Sequence, residues 1–404
     1  MVKYLSVLIL LICSFTFVFS QNIDVLGYLP AYRFESVSDI DFSGVTHINI
    51  AFANPDKNGN LSAFDKDIDP VVKKLKNDGI VVYISLGGAA VYGQLAANWK
   101  KNMSSSFRSI FIKKIKDYCR IHDLDGVDMD LEWDNITDYY SPFVLELKDT
   151  LSKYSLGLTA ALPGTFRYSQ ITDQALKAFD VINIMAYDFK GPWNPNNPGQ
   201  HSSFEDAQQS ISFWKSQGIN HEKLRLGVPF YGYDFTDKNN VTSFKYSEIV
   251  AENTDYAYLD NVGKKYYNGI NTIRKKTKLV KTEKLKGIMI WELTQDAFAP
   301  YEEYSLLKAI NEEINGNENV ITNRKFILYP NPFIDRLSVY FNDIEIENKT
   351  TLKICNLNGK TIYNKPLFSK DIKINEIKPG VYFYSIISRN KIYTGKIIKI
   401  QDNR

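Results

Sequence analysis

Three acidic residues occupy alternate positions in the segment from Asp125 to Trp133. Successive side chains of a β-strand point to opposite faces, so Asp128, Asp130 and Glu132 should share one face of a strand. Neighbouring positions on that face lie about 6 to 7 Å apart. Acidic side chains are rarely buried without a partner or a function. The spacing therefore predicts three carboxyl groups on one buried face, where they need a partner or a function.

The same acids allow two other interpretations. On an exposed edge strand they would form a solvated acidic face, and a group of carboxylates can also bind a metal ion. His122 is the one histidine near them, and it falls on the preceding helix, where a surface position is expected. We therefore expect neither a metal site nor a cofactor.

The acids need a set of strands to position them. From residue 25 to about 294, short apolar, β-branched segments alternate with amphipathic stretches, which is typical of parallel strands joined by helices. Eight such strands close a (β/α)8 TIM barrel, whose active site lies at the carboxyl ends of the strands. The predicted strands are 25–30, 47–53, 81–88, 126–133, 156–163, 181–188, 224–232 and 287–294.

Length and composition agree with this fold. A chain of 404 residues can hold a barrel of roughly 250 to 300 residues and a smaller module. Hydrophobic residues at 44% and charged residues at 24% argue against a disordered chain and against a multi-pass membrane protein. A formal net charge of +3 gives no reason to expect a nucleic acid or an acidic membrane as partner.

The N-terminus has the pattern of an export signal over residues 1–20. Lys3 precedes an apolar run over residues 5–19, which is too short for a comfortable transmembrane helix. Lipidation of Cys13 is the alternative. Removal of the signal predicts an extracellular protein with no stable membrane insertion.

The remaining chain divides into three parts. Residues 21–314 contain the predicted barrel, and the Asn- and Gly-rich stretch 315–323 is predicted to be a linker. Residues 324–404 alternate apolar and polar positions between turn signals, which predicts a small all-β sandwich. Cys119 and Cys355 fall in different domains, so no disulfide framework is expected.

The segment DGVDMDLE resembles the DxxDxDxE signature of family 18 glycoside hydrolases, the chitinase family. Three other features agree with that family: SLGG at 85–88, MAYD at 185–188, and Trp291 in the eighth predicted strand. The resemblance covers roughly residues 23–313. It implies a TIM-barrel enzyme that hydrolyses β-1,4-linked N-acetylglucosamine in chitin or its oligomers.

The resemblance also implies a mechanism in which the 2-acetamido carbonyl oxygen of the sugar is the nucleophile. Glu132 would protonate the departing glycosidic oxygen. Asp130 would accept a hydrogen bond from the acetamido N–H, and Asp128 would share a proton with Asp130. Tyr187 would bind the acetamido oxygen, and Asp188 would support the sugar. Retention of configuration would follow.

Aromatic residues near the predicted strand ends could stack on sugar rings. On this basis we expect Tyr28, Phe52, Trp291, Tyr231 and Trp193 to bind substrate.

Two other features bear on the shape of the cleft. Trp133 is compatible either with packing or with a substrate contact. The connection at 233–286 is short, so we expect no additional α+β insertion there. A shallow cleft and endo-type attack would follow.

The C-terminal region carries a second resemblance. YPNP at 329–332, LNGK at 357–360 and KPGVYFYSI at 378–386 are similar to C-terminal sorting domains of the type IX secretion system of Bacteroidota. This implies export by that machinery, with release outside the cell or attachment to its surface. A carbohydrate-binding sandwich is the alternative. We expect a monomer.

Two other functions remain open for the barrel. Endo-β-N-acetylglucosaminidases, which act on N-glycan cores, share the acidic signature and the fold. A non-catalytic chitin-binding lectin could also use this barrel, but such proteins usually replace the acid that Glu132 retains here.

Overall fold

The fold is described from a computed structural model. The structure describes residues 23–316, 326–341, 350–367, 369, 371–374, 377–388 and 391–401. The expected signal peptide, 1–20, and most of the expected linker, 315–323, lie outside the described residues.

Eight parallel strands close into a barrel. Each strand pairs with its neighbour in the chain order, and β1 pairs with both β2 and β8, which closes the ring. This confirms the predicted (β/α)8 fold, and every predicted strand overlaps an observed one. The strands are β1 (Asp24–Pro30), β2 (His47–Pro55), β3 (Val81–Gly87), β4 (Gly126–Asp130), β5 (Gly157–Pro163), β6 (Val181–Met185), β7 (Leu224–Pro229) and β8 (Gly287–Trp291).

Helices cover the outside of the barrel because each has one apolar side. In the segment 108–121, for example, Phe111, Ile115 and Cys119 recur every four residues and are buried, while Lys113 is exposed. The helices are α1 (Asp69–Asn77), α2 (Gly93–Met103), α3 (Arg108–Ile121), α4 (Tyr140–Ser152), α5 (Asp173–Ala178), α6 (Phe204–Ser216), α7 (Tyr246–Glu252), α8 (Ile270–Thr282) and α9 (Leu306–Asn315).

The connection between β7 and β8 forms an α+β insertion, so the expectation that none is present is wrong. Its sheet is antiparallel and is accompanied by α7. The sheet can include strands of only two residues because Tyr231–Asp234, which follows closely on β7, pairs with Thr242–Lys245 on one side and with Lys265–Tyr266 on the other. The strands of the insertion are Tyr231–Asp234, Thr242–Lys245, Asn261–Val262 and Lys265–Tyr266.

The C-terminal part contains two antiparallel sheets around a separate apolar core that includes Leu337, Ile354 and Ile386. This confirms the expected all-β sandwich after the barrel. One sheet contains Phe326–Tyr329, Arg336–Phe341 and Asp371–Lys373, and the other contains Thr351–Cys355, Thr361–Pro366, Gly380–Ser388 and Lys391–Lys399.

Two further findings concern the cysteines and the membrane. Cys119 and Cys355 are both free thiols. In the described part of the chain, no helix has the length and apolarity needed to cross a bilayer.

Gly87 ends β3 where the strand passes close to β4. Its φ is +116°, and a Cβ atom there would lie 2.5 Å from the backbone oxygen of Asp130. Gly79 also has a positive φ, of +75°, but a Cβ atom there would meet nothing within 4 Å.

We therefore expect Gly87→Ala to lower the free energy of unfolding by about 1 to 3 kcal/mol more than Gly79→Ala, since only the first substitution adds a clash. Urea denaturation of the two variants measures this difference. Equal losses would show that the contact with β4 is not the constraint at Gly87.

Candidate active site

Asp128 is buried at the centre of the barrel, where its two oxygens accept four hydrogen bonds. Its Oδ2 accepts from the hydroxyls of Tyr28 at 2.6 Å and Ser85 at 2.8 Å. Its Oδ1 accepts from the Thr159 hydroxyl at 2.6 Å and the Asn183 amide at 3.0 Å. The donors come from β1, β3, β5 and β6, so this one carboxyl group connects strands from both sides of the barrel.

The strand register explains two of these donors. Ser85 and Thr159 are the direct partners of Asp128 on the neighbouring strands, and all three side chains point inward. Burial raises the pKa of Asp128, while the hydrogen bonds from Thr159, Tyr28 and Ser85 oppose that rise.

Arg225 lies below this level of the barrel and supplies a buried positive charge. Its Nη2 is 2.6 Å from Oδ2 of Asp24, and its Nη1 is 3.5 Å from the amide oxygen of Asn183. The charge of Arg225 also lowers the pKa of Asp128. Arg225 and Asn183 thus support the ionised form of Asp128 from beneath.

Asp130 is the next inward residue of β4, and it is buried without full hydrogen bonding. Among the described residues its Oδ1 has no hydrogen-bond partner. Burial, followed by the charges of Glu132 and Asp128, raises its pKa well above the ordinary value. The proton that Asp130 is expected to share with Asp128 stays a prediction; each oxygen of Asp128 also has two hydrogen-bonding neighbours.

Glu132 follows β4 with an extended backbone and a half-buried side chain. Burial, followed by the charge of Asp188, raises the pKa of Glu132 to about 7. The next residue is fixed by a hydrogen bond of 2.9 Å from the Trp133 N–H to the Tyr168 hydroxyl. Glu132 therefore keeps a proton near neutral pH, which suits a general acid.

Asp188 follows β6 in a left-handed conformation, with φ of +64°. Its Oδ1 accepts from the hydroxyl of Tyr231 at 2.5 Å and from that of Tyr233 at 3.0 Å. The side chain is 41% exposed, so the carboxylate is anchored on one side and open on the other. Tyr187, beside it, packs its ring against Tyr231, with the centroids 6.3 Å apart.

Aromatic rings form a floor next to the acids. The rings of Trp291 and Phe52 stack with centroids 5.6 Å apart, and Tyr28 meets Trp291 edge-on at 5.3 Å. Tyr187 packs against the same apolar cluster. Three of the predicted substrate-binding rings are therefore in mutual contact.

Two tryptophans lie on the rim instead. Trp193 is 60% exposed, and its ring centroid is 5.9 Å from that of Tyr233. Trp133 is 61% exposed, and its ring centroid lies 6.5 Å from that of Phe166, so Trp133 lies outside the core and a substrate contact stays a prediction.

Several residues of the site escaped the sequence analysis: Thr159, Asn183, Arg225, Tyr233 and the hydrogen-bonding role of Ser85. A usable signal was present for Thr159, Asn183 and Arg225, since each is the single polar residue of an otherwise apolar strand.

The structure also bears on the two competing interpretations of the acids. The edge-strand interpretation is wrong, because β4 is buried between β3 and β5. In the described residues, no group of three or more His, Cys, Asp or Glu side chains is placed to hold a metal ion.

Comparison with known proteins places both parts of the chain. Residues 24–296 match the family described as glycosyl hydrolases family 18, and residues 327–401 match the secretion system C-terminal sorting domain. The second match agrees with the sorting-domain resemblance of the tail.

Solved structures similar to the chain include two bacterial chitinases. The GH18 chitinase ChiB from the chitin utilization locus of Flavobacterium johnsoniae is 48% identical, with a TM-score of 0.71 over 74% of this chain and 96% of that one. A chitinase from Bacteroides thetaiotaomicron is 27% identical, with a TM-score of 0.66 over 74% and 99%. Among curated relatives, a class V chitinase of Lotus japonicus is 27% identical over 67% of this chain and 82% of its own length.

The hydrogen bond from Thr159 to Asp128 can be tested with an isosteric change. Thr159→Val removes one of four donors to a buried carboxylate, which should lower the free energy of unfolding by about 1.5 to 3 kcal/mol at neutral pH. Thr277→Val is the matched control, because the equally buried Thr277 hydroxyl donates only to the Ile273 carbonyl.

We expect the control to cost about 1 kcal/mol or less, since that carbonyl belongs to a helix. Denaturant titrations measure both changes. A Thr159 variant no less stable than the control would show that Asp128 does not depend on this donor.

Proposed function

The chain belongs to glycosyl hydrolase family 18, and from this premise we propose that it is a secreted chitinase that cleaves β-1,4 linkages between N-acetylglucosamine residues with retention. The observation that carries the proposal is the pairing of a protonated Glu132 with Asp130, whose buried Oδ1 lacks a hydrogen-bond donor in the described structure. Proton donation to a leaving group and acceptance of an amide N–H require these two properties.

Glu132 acts in both steps of the proposed reaction. In the first, its proton passes to the glycosidic oxygen, the bond from that oxygen to the anomeric carbon breaks, and the acetamido carbonyl oxygen bonds to that carbon. In the second, ionised Glu132 takes a proton from water as the water oxygen attacks the anomeric carbon. The bond from that carbon to the acetamido oxygen breaks, which restores the acetamido group. Two displacements at one carbon retain its configuration.

Asp130 orients the nucleophile in this mechanism. The acetamido N–H would donate to the carboxyl group of Asp130, which brings the carbonyl oxygen toward the anomeric carbon. The positive charge of the oxazolinium-like intermediate favours ionised Asp130. Charge interaction between Asp130 and Glu132 opposes loss of both protons in the free enzyme, so the pair retains a proton for the first step.

The aromatic floor supports the assignment of the sugar site. Trp291 is partly buried against Phe52 and Tyr28, which gives it a fixed orientation next to the acids. A fixed indole face suits stacking on the apolar face of a pyranose. Tyr187 would bind the acetamido oxygen.

The rim contributes further contacts and bears on the mode of attack. Asp188, held by Tyr231, would accept from a sugar hydroxyl. Trp193 and Trp133 are both more than half exposed, so their rings are accessible for stacking on sugars beyond the acids, as cleavage within a chain requires.

The remaining parts of the chain concern export. We propose a signal peptide at 1–20, a catalytic domain at 21–314, a linker at 315–323 and a sorting domain at 324–404. The tail belongs to the secretion-system sorting domains. The enzyme would therefore act as a monomer outside the cell or on its surface after handling by the type IX machinery.

We expect the purified protein to hydrolyse defined N-acetylglucosamine oligomers to shorter oligomers of retained anomeric configuration. Glu132→Gln should lower kcat by roughly 100-fold to 10,000-fold while oligomer binding persists, because only the proton is lost. The exposed Glu222 provides a control, and Glu222→Gln should leave kcat unchanged. Product chromatography, NMR of the first-formed anomer and calorimetry measure these quantities.

Incubation with a high-mannose glycoprotein distinguishes the proposed chitinase from its main alternative. Release of whole glycans together with intact chitin oligomers would identify an endo-β-N-acetylglucosaminidase instead. Oligomer binding without turnover in the wild-type protein would indicate the lectin.

The rate should also depend on the protonation of Glu132. Because the acid must carry its proton, kcat/KM should be constant on the acid side of the pKa of about 7 and fall as pH rises through it. A pH profile with a short, soluble oligomer measures this limb. Activity that rises through pH 7 to 9 would contradict the assignment of Glu132 as the acid.

A further inference from the structure

His201 lies in the segment between β6 and α6 and is fully buried. Its ring is enclosed by Tyr231 and Tyr233, each with its centroid 5.0 Å away. Its Nε2 is 3.2 Å from the backbone oxygen of Tyr231, and its Nδ1 is 3.4 Å from Oδ1 of Asp188. Within the described structure, Nδ1 has no hydrogen-bond partner of good geometry.

The chemistry of the ring makes this placement informative. A neutral imidazole has one donor and one acceptor nitrogen, but both nitrogens of His201 face oxygen acceptors. A neutral ring would therefore direct a lone pair at an oxygen, whereas an imidazolium supplies an N–H to each side.

We propose that His201 is a protonated positioning residue. It anchors Asp188 and weakens the effect of the negative charge of Asp188 on Glu132. This inference rests on the proposed function of the site. It assigns His201 no contact with substrate, since the ring lies beneath Tyr231, Tyr233 and Asp188.

The surrounding contacts hold the ring in place. Nζ of Lys276 donates to the backbone oxygen of Ser202 at 2.8 Å, to its hydroxyl at 2.7 Å and to the Asn268 side chain at 2.7 Å. The Ser202 hydroxyl in turn donates to the Ala186 carbonyl at 2.7 Å. The residue next to His201 is thereby fixed to α8 and to the end of β6, and the His201 ring itself is enclosed by Tyr231 and Tyr233.

Asp188 supplies the negative charge that lies in contact with the His201 ring. The hydroxyls of Tyr231 and Tyr233 donate to the same carboxylate oxygen. Lys276 lies across Ser202 from the ring, and burial lowers the pKa of Lys276 to about 7. The acids near Lys276 offset its charge; they are Asp260, Asp206 and Glu205.

The test compares two histidine variants. His201→Asn removes the charge, which leaves Asp188 to act on Glu132 without compensation. Glu132 should then keep its proton to higher pH, and the alkaline limb of kcat/KM should move up by about 0.5 to 1 pH unit. His221→Asn is the control, since its ring contacts only the Lys284 carbonyl near the surface, and it should leave the limb in place.

A double variant separates an electrostatic role from a structural one. In an Asp188→Asn background, His201→Asn should produce no further shift, because without the carboxylate the ring is neutral and carries no charge to remove. An unchanged limb in the His201→Asn single variant, whatever its stability, would overturn the proposal. So would a shift of the same size in the Asp188→Asn background.

A measurement on the wild-type protein needs neither substrate nor a variant at position 201. The chain has four histidines, so the Cε1–H resonance of His201 can be assigned by elimination with variants of the other three. Its chemical shift at pH 6 should be that of an imidazolium. A neutral ring would overturn the inference even if the proposed chitinase activity holds, and a charged ring would support it even if that activity fails.

Discussion

Burial of the Asp128 charge is the constraint on which the barrel interior depends. An ionised carboxylate away from water costs several kcal/mol unless its oxygens are hydrogen-bonded. Four strands must therefore present donors at one level, which limits the register of the strands around β4. Arg225, paired with Asp24 below, adds the positive charge that four neutral donors lack.

The hydrogen bonding of Asp128 contrasts with that of Asp130, the next inward residue of β4. Asp128 has four hydrogen-bond donors, whereas the buried Oδ1 of Asp130 has none within the described structure. Burial of that oxygen without a donor costs free energy in the free protein, and a donor from a bound ligand would remove this cost. Burial and neighbouring acids then keep Glu132 protonated near neutral pH. The fully hydrogen-bonded Asp128 thus lies beneath Asp130, whose Oδ1 lacks a donor in the described structure, and beneath the half-buried Glu132.

The acids of β4 and the eight strands could be predicted from the sequence because both follow local periodicity. The hydrogen-bond partners of Asp128 could not be predicted in this way, since Thr159 and Asn183 become its neighbours only when the register of separate strands is set. The insertion was missed for another reason. Strands of two residues, such as Lys265–Tyr266, carry no alternation, and they exist because Tyr231–Asp234 offers a template.

The insertion has a consequence beyond the shape of the cleft. Its first strand continues from β7 and brings the hydroxyls of Tyr231 and Tyr233 onto one oxygen of Asp188. Since the charge of that carboxylate raises the pKa of Glu132, the electrostatics of the proposed proton donor depend on this short strand. A change in the insertion would therefore alter the electrostatics of the acid as well as the room for a glycan. For this reason the strand Tyr231–Asp234 belongs to the candidate active site as well as to the insertion.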